Sequence, residues 1–234
     1  MVCTIQPGII QRNDIIGVMA GRIGIAVLIS GGGTTLKNLI GRIAGGSCRA
    51  DIKCVLSSKP GAPGLAFADE ACIPSVTVPR KEYSTPAEFS EIVTQSLAPF
   101  APELIVLGGF LSLYLYPPQY NARIINTHPA LLPCFGGKGM YGDRVHEAVL
   151  ASGCKVTGCT VHMVDHEYDH GPIIAQRALP VLAADTVESL GERVRAAERE
   201  LLPEVINWFA DGRVEMLPNG KAYVRARDLL GGAK

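Results

Sequence analysis

From residue 23 onward the chain alternates between short, continuous apolar runs and longer stretches whose apolar residues recur every three or four positions. Residues 23–30 (IGIAVLIS) form an uncharged run of strand length, which predicts a strand buried on both faces, as in parallel sheets. The run enters Ser30-Gly31-Gly32-Gly33-Thr34-Thr35, and residues 36–44 then follow helical spacing. Strand, glycine turn and helix open a β-α-β unit. The same alternation predicts strands over 51–58, 75–78, 103–109 and 122–128. Helices are predicted over 64–73 and 86–100, the second with Pro86 in its first turn.

After Thr127 the pattern changes. Residues 128–142 are rich in Gly and Pro and predict a loop, and 142–153 predict a short helix closed by Gly153. Residues 155–164 alternate as a strand, 166–172 read as a turn and 173–181 as a further strand, a hairpin-like pair beside the parallel sheet. Residues 185–212 predict a long amphipathic helix with its N-cap at Asp185 or Thr186. A small terminal hairpin over 213–217 and 221–224 would turn at Asn219-Gly220. The expectation is one α/β domain over 23–234, preceded by a loose extension over 1–22.

Charge narrows the function classes. Lys plus Arg and Asp plus Glu number 22 each, so a protein that binds nucleic acid or membrane surfaces through bulk charge is excluded, while a local basic pocket is not. Nothing approaches an apolar run long enough to span a bilayer. Cys3, Cys48, Cys54, Cys72, Cys134, Cys154 and Cys159 are scattered, odd in number and never spaced as CxxC, which favours reduced thiols in a cytoplasmic protein over disulfides or zinc. Arg12, Asn13 and Asp14 stand where a signal peptide needs apolar residues.

Three places carry candidate chemistry. The glycine-hydroxyl loop at 30–35 lies between a buried strand and a helix start, where unpaired N–H groups and hydroxyls suit a phosphate; it also reads as a tight turn needing positive φ. Asn126 and His128 stand two apart at a strand end, so both side chains point one way, toward the crevice where open parallel sheets bind ligands. An amide there can donate to a developing oxyanion and an imidazole can move protons. His162, His166 and His170 step by four, which would align metal ligands on a helix, but a strand and a turn are predicted there. Asp169, in that turn, either reaches His128 from another strand end or organises its own backbone as an Asx turn.

The segments SGGGTT, INTHPALLP, VTGCTVHMVD and EYDHGPII, in this order and spacing, resemble the phosphoribosylglycinamide formyltransferases of the folate-dependent formyltransferase superfamily. The resemblance runs from about Ile23 to Gly212. It implies a Rossmann-like, mostly parallel twisted sheet flanked by helices, the formyltransferase fold. It also implies transfer of a formyl group from 10-formyltetrahydrofolate to the amine of 5-phosphoribosylglycinamide, through a tetrahedral intermediate and without a metal. The alternative within the superfamily is a formyltetrahydrofolate hydrolase. A domain standing alone favours the transferase, since the tRNA-directed members and the hydrolases carry additional domains. Partners would be these small molecules, with neither nucleic acid nor membrane, in a monomer or homodimer.

Matched position by position, the resemblance makes Asn126, His128 and Asp169 catalytic. Asp169 would carry a proton from the attacking amine to the leaving nitrogen and hold His128 as an imidazolium. Gly33, Thr34 and Thr35 would hold the substrate phosphate, with Arg195 and Glu198 nearby and Glu198 at the glycinamide end. Arg80, Leu111, Ser112, Leu113, Asn126, Asp165, His166, Glu167 and Tyr168 would form the folate site. The chain departs from the family at Gly32 and Thr35, where Asn is usual, at Ser112, where Arg is frequent, and in a longer segment at 136–143.

Overall fold

The computed structural model describes residues 21–226; residues 1–20 of the extension predicted over 1–22, and the end of the chain over 227–234, lie outside the described residues. β1 (Ile23–Ile29) leads into α1 (Thr34–Ala44), β2 (Ala50–Ser57) into α2 (Leu65–Glu70), and β3 (Ser75–Thr77) into α3 (Pro86–Leu97). β4 (Leu104–Leu107), β5 (Ile124–His128), α4 (Asp143–Ser152), β6 (Val156–Met163), β7 (Ile173–Pro180) and α5 (Val187–Ala210) follow, and β8 (Val214–Met216) and β9 (Ala222–Val224) close the series. β1 to β7 form one sheet in the order β3-β2-β1-β4-β5-β6-β7. The first five strands of that order pair in parallel, and β6 and β7 add on antiparallel, as the change of pattern after Thr127 predicts.

β1 behaves as a strand with two buried faces. Ile25, Val27 and Ile29 pack with residues of α1 and α5, whereas Ala26 and Leu28 pack with Phe89, Val93 and Leu97 of α3. Helix starts follow the local chemistry. Thr85 and Glu88 form a reciprocal capping box ahead of Pro86, and Thr186 does the same with Ser189, which selects Thr186 over Asp185 as the cap of α5. Asp185 instead accepts both nitrogens of Arg193. The small hairpin is present, but β8 and β9 are joined through residues 217–221, with Gly220 at φ 77 accommodating the left-handed step, so the turn is longer than Asn219-Gly220 alone. Among the described residues no helix is long and apolar enough to cross a membrane.

The strand order reverses between β1 and β4, and the loops leaving these neighbours open a crevice beyond their carboxyl ends. The first of these loops is held by close backbone contact. Gly33 has φ 67, and a Cβ on it would lie 2.5 Å from the Cα of Gly64 at the start of α2. Gly64 itself has an ordinary helical φ of −63, but its own Cβ would lie 2.7 Å from Gly33 Cα and 2.9 Å from Ile29 Cδ1. Gly64→Ala is therefore expected to destabilise by about 1–3 kcal/mol through overpacking, in line with the preference of an N-cap position for Gly over Ala. Urea unfolding checks this; an unchanged midpoint would mean the loop and α2 do not touch.

Candidate active site

A cleft of about 630 Å³ opens at the end of β5. The start of α1, the loop after β4, most of the segment 137–144, most of the turn after β6 and one face of α5 line it. Strand alternation sends Asn126 and His128 to one side of β5 and Thr127 to the other. In the antiparallel ladder Asn126 stands opposite His162 and His128 opposite Thr160, so Asn126 and His162 share a face.

The turn between β6 and β7 returns Asp169 to this point. Gly171 lets the chain fold back, since a Cβ there would lie 2.1 Å from the Met163 carbonyl oxygen, and Asp169 occupies the left-handed region at φ 55, which Asp tolerates better than most residues. The Gly137 N–H donates to Asp169 Oδ2 at 2.9 Å. Asn126 Nδ2 lies 3.4 Å from Asp169 Oδ1 and 3.1 Å from His162 Nε2. Reversing that amide would turn its oxygen toward the carboxylate, so the orientation follows from the charge of Asp169. His128 Nδ1 is 3.4 Å from Asp169 Oδ2, and His162 Nε2 is 3.7 Å from Oδ1.

Backbone carbonyls set the ring nitrogens. His128 Nε2–H donates to the Phe135 carbonyl at 2.9 Å, and His162 Nδ1–H donates to its neighbour Met163 at 2.7 Å. Burial alone would raise the Asp169 carboxyl, but its contacts with His162 and His128 and the Gly137 N–H hold it below the usual range. His128, 2% exposed, is shifted down because burial outweighs the opposing pull of Asp169 and of its bond to Phe135. Burial thus opposes the pull of Asp169 that was expected to hold His128 as an imidazolium. That direction favours a neutral imidazole with its proton on Nε2, which leaves Nδ1 as an acceptor 3.4 Å from the Asp169 carboxylate. A proton arriving at Nδ1 completes a charge-assisted hydrogen bond.

The opposite wall has a different chemistry. Thr127 Oγ1 donates to Glu198 Oε1 at 3.0 Å. Burial pushes the Glu198 carboxyl up to about 7, against the lowering effects of that bond and of Arg195 and Arg199. Toward β1, the N-terminus of α1 carries no side-chain cap and no acidic residue in its first turn. Its first N–H groups thus stay available to an anion beside the Thr34 and Thr35 hydroxyls.

Most of the sequence-derived residues meet here. Asn126, His128, Asp169, Thr34, Thr35, Arg195, Glu198, Leu111, Ser112, Leu113, Asp165, Glu167 and Tyr168 all line the cleft. Gly33 does not; it is buried against Gly64 and shapes the loop from behind. Arg80 does not either: its guanidinium lies over the Phe89 ring at 5.6 Å and donates to the Tyr83 carbonyl at 2.7 Å. His166 stacks on Tyr116, centroids 4.7 Å apart, outside the cleft lining, and His170 pairs with Asp165. The three histidines spaced by four thus go to separate neighbours, because strand and turn replace the helix that would have aligned them. Thr127, Gly137 and His146 belong to the cleft lining without a role read from the sequence, and His162, weighed there only as a metal ligand, joins it through the pairing of β6 with β5.

Residues 23–206 match the protein family described as Formyl transferase. The chain is 40% identical over 206 residues to the trifunctional purine biosynthetic protein adenosine-3 of Gallus gallus, covering 87% of this chain and 20% of that protein. It thus spans about a fifth of the length of that relative. It is 36% identical to phosphoribosylglycinamide formyltransferase of Haemophilus influenzae over 88% of this chain and 95% of that one. Its fold is similar to the crystal structure of glycinamide ribonucleotide transformylase 1 from Symbiobacterium toebii, with a TM-score of 0.79 at 35% identity over 88% of this chain and 95% of that one.

Glu198 yields a stability prediction. With its folded value near 7 and an ordinary value of 4.5, the native state keeps a proton that the unfolded chain has released between those limits. Stability therefore falls as pH rises through that window. Glu198→Gln keeps the acceptor for Thr127 and removes the titration. It should match wild type near pH 4 and exceed it above pH 7, by on the order of 2 kcal/mol. Denaturant unfolding across pH is the measurement; a pH-independent difference would show that Glu198 is not held protonated.

Proposed function

The chain belongs to the formyl transferase family, and from that premise we propose that it transfers a formyl group from 10-formyltetrahydrofolate to the amine of 5-phosphoribosylglycinamide. The observation that carries this reading is the convergence of Asn126, His128 and Asp169 at the end of β5, between an anion-suited helix start and an apolar wall. The phosphate sits at the start of α1 with Thr34 and Thr35, and the glycinamide end lies toward Arg195 and Glu198. The flat ring of the folate lies along Leu107, Phe110, Leu113 and Val164, which line the cleft beside the turn 165–168. That wall fits a heteroaromatic ring because it is apolar while the adjoining turn offers polar backbone groups.

The amine attacks the formyl carbon directly, so no nucleophilic side chain is required. Negative charge develops on the formyl oxygen. Asn126 answers it: its N–H toward Asp169 is held at a long 3.4 Å and can be given up to the oxygen. The proton lost by the amine goes to the His128–Asp169 pair, where the Nδ1 lone pair receives it and the carboxylate stabilises the imidazolium. Returning that proton to the departing nitrogen releases tetrahydrofolate. His128 thus rests neutral and becomes cationic during the reaction, which couples oxyanion stabilisation to proton transfer.

The test follows folate absorbance in purified protein given formyl-folate, with and without glycinamide ribonucleotide. Turnover is expected only with the ribonucleotide; formate release in its absence would favour the hydrolase instead. His128→Ala and Asn126→Ala should each lower kcat by about a hundredfold to a thousandfold without unfolding the protein. Rates within a fewfold of wild type would remove those residues from the chemistry.

A further inference from the structure

His146, on α4, lies in the cleft wall outside the residues used above. It lines the cleft, yet only 1% of its surface is exposed, and its Nδ1 is buried with no hydrogen-bond partner. An unpaired polar atom in a packed site is costly, and such atoms are few in native proteins. A second concession lies opposite. Gly191 interrupts the middle of the first half of α5, where alanine would be the better helix former. A Cβ there would lie 2.9 Å from His146 Cδ2, 3.2 Å from His146 Nε2 and 3.0 Å from Arg195 Nη1. The glycine is thus a notch that seats the imidazole beside Arg195, and two local costs meet in one contact. Neither stabilises the empty protein.

We propose that His146 is a substrate-binding residue, which hydrogen-bonds a neutral hydroxyl or carboxamide group of the ribonucleotide between its phosphate and its amine. The proposal rests on the functional reading above. Burial, together with the charge of Arg195, disfavours the imidazolium against the opposing pull of Asp143. A neutral ring offers one donor and one acceptor, and a hydroxyl or an amide can use both, whereas an ionised phosphate can use only the donor. Both groups occur in the middle of the proposed substrate. Arg195 lies one helical turn beyond Gly191 and Glu198 about one turn further, so the three define a continuous strip along α5 for that part of the ligand.

The experiment measures KM for each substrate and the melting temperature of full-length wild type, His146→Leu, His146→Gln and Gly191→Ala. His146→Leu should raise the KM for glycinamide ribonucleotide about tenfold, leave the KM for formyl-folate within twofold and keep or raise the melting temperature. His146→Gln, which retains a donor and an acceptor, should recover part of the loss. Gly191→Ala should reproduce the KM effect by pushing the imidazole aside, without loss of stability. An analogue lacking the ribose hydroxyls separates the two groups: a hydroxyl partner makes the analogue and His146→Leu non-additive, and an amide partner makes them additive. A ribonucleotide KM unchanged in His146→Leu, or a rise equal for both substrates, overturns the inference while leaving the functional reading intact. A wild type inert toward the ribonucleotide overturns the functional reading and the inference with it.

Discussion

One ionised carboxylate organises the end of β5. Asp169 accepts the Gly137 N–H, faces the Asn126 amide and stands against the ring nitrogens of His128 and His162. These groups come from β5, β6 and the segment after β5, so the turn carrying Asp169 must fold back over the sheet for the site to exist. The antiparallel addition of β6 makes that possible. It sets His162 opposite Asn126 and lets the chain return within a few residues, where a parallel strand would have required a long crossover. The left-handed backbone of Asp169 and the close approach at Gly171 are the local conditions of that return.

The same strand divides the cleft by alternation. Asn126 and His128 serve the side facing Asp169, and Thr127 reaches Glu198 of α5 on the other. Two reactants entering from the two sides would meet at the strand end, which is the geometry that the proposed direct group transfer needs. The sides also differ in protonation. Hydrogen-bond donors keep Asp169 ionised, whereas burial shifts Glu198 toward its neutral form. Two carboxyls in one cleft are thereby given different work by their surroundings.

Much of this was legible in the chain. The uncharged run at 23–30 marked a doubly buried strand, and the altered pattern after Thr127 marked the antiparallel arm, because hydrophobic period reports directly on which faces are covered. The Asn-Thr-His triplet placed its two outer side chains together for the same reason. What depended on tertiary approach was not legible. Gly33 supports its loop from behind because Gly64 presses against it, a contact between segments thirty-one residues apart. Arg80 is taken up by Phe89 and Tyr83 before it can reach a ligand. The direction in which His128 is shifted turns on a contest between burial and Asp169, and burial depends on the packing of the whole molecule.

We propose that a neutral His128 and an ionised Asp169 form the resting pair. Nitrogen-15 NMR of the imidazoles in the unliganded protein tests it most directly. The account predicts that His128 carries its single proton on Nε2 at neutral pH and titrates below its ordinary value of 6.5, and that Asp169→Asn moves that titration lower still by removing the negative partner. A His128 doubly protonated at pH 7, or one whose titration is indifferent to Asp169→Asn, would contradict it.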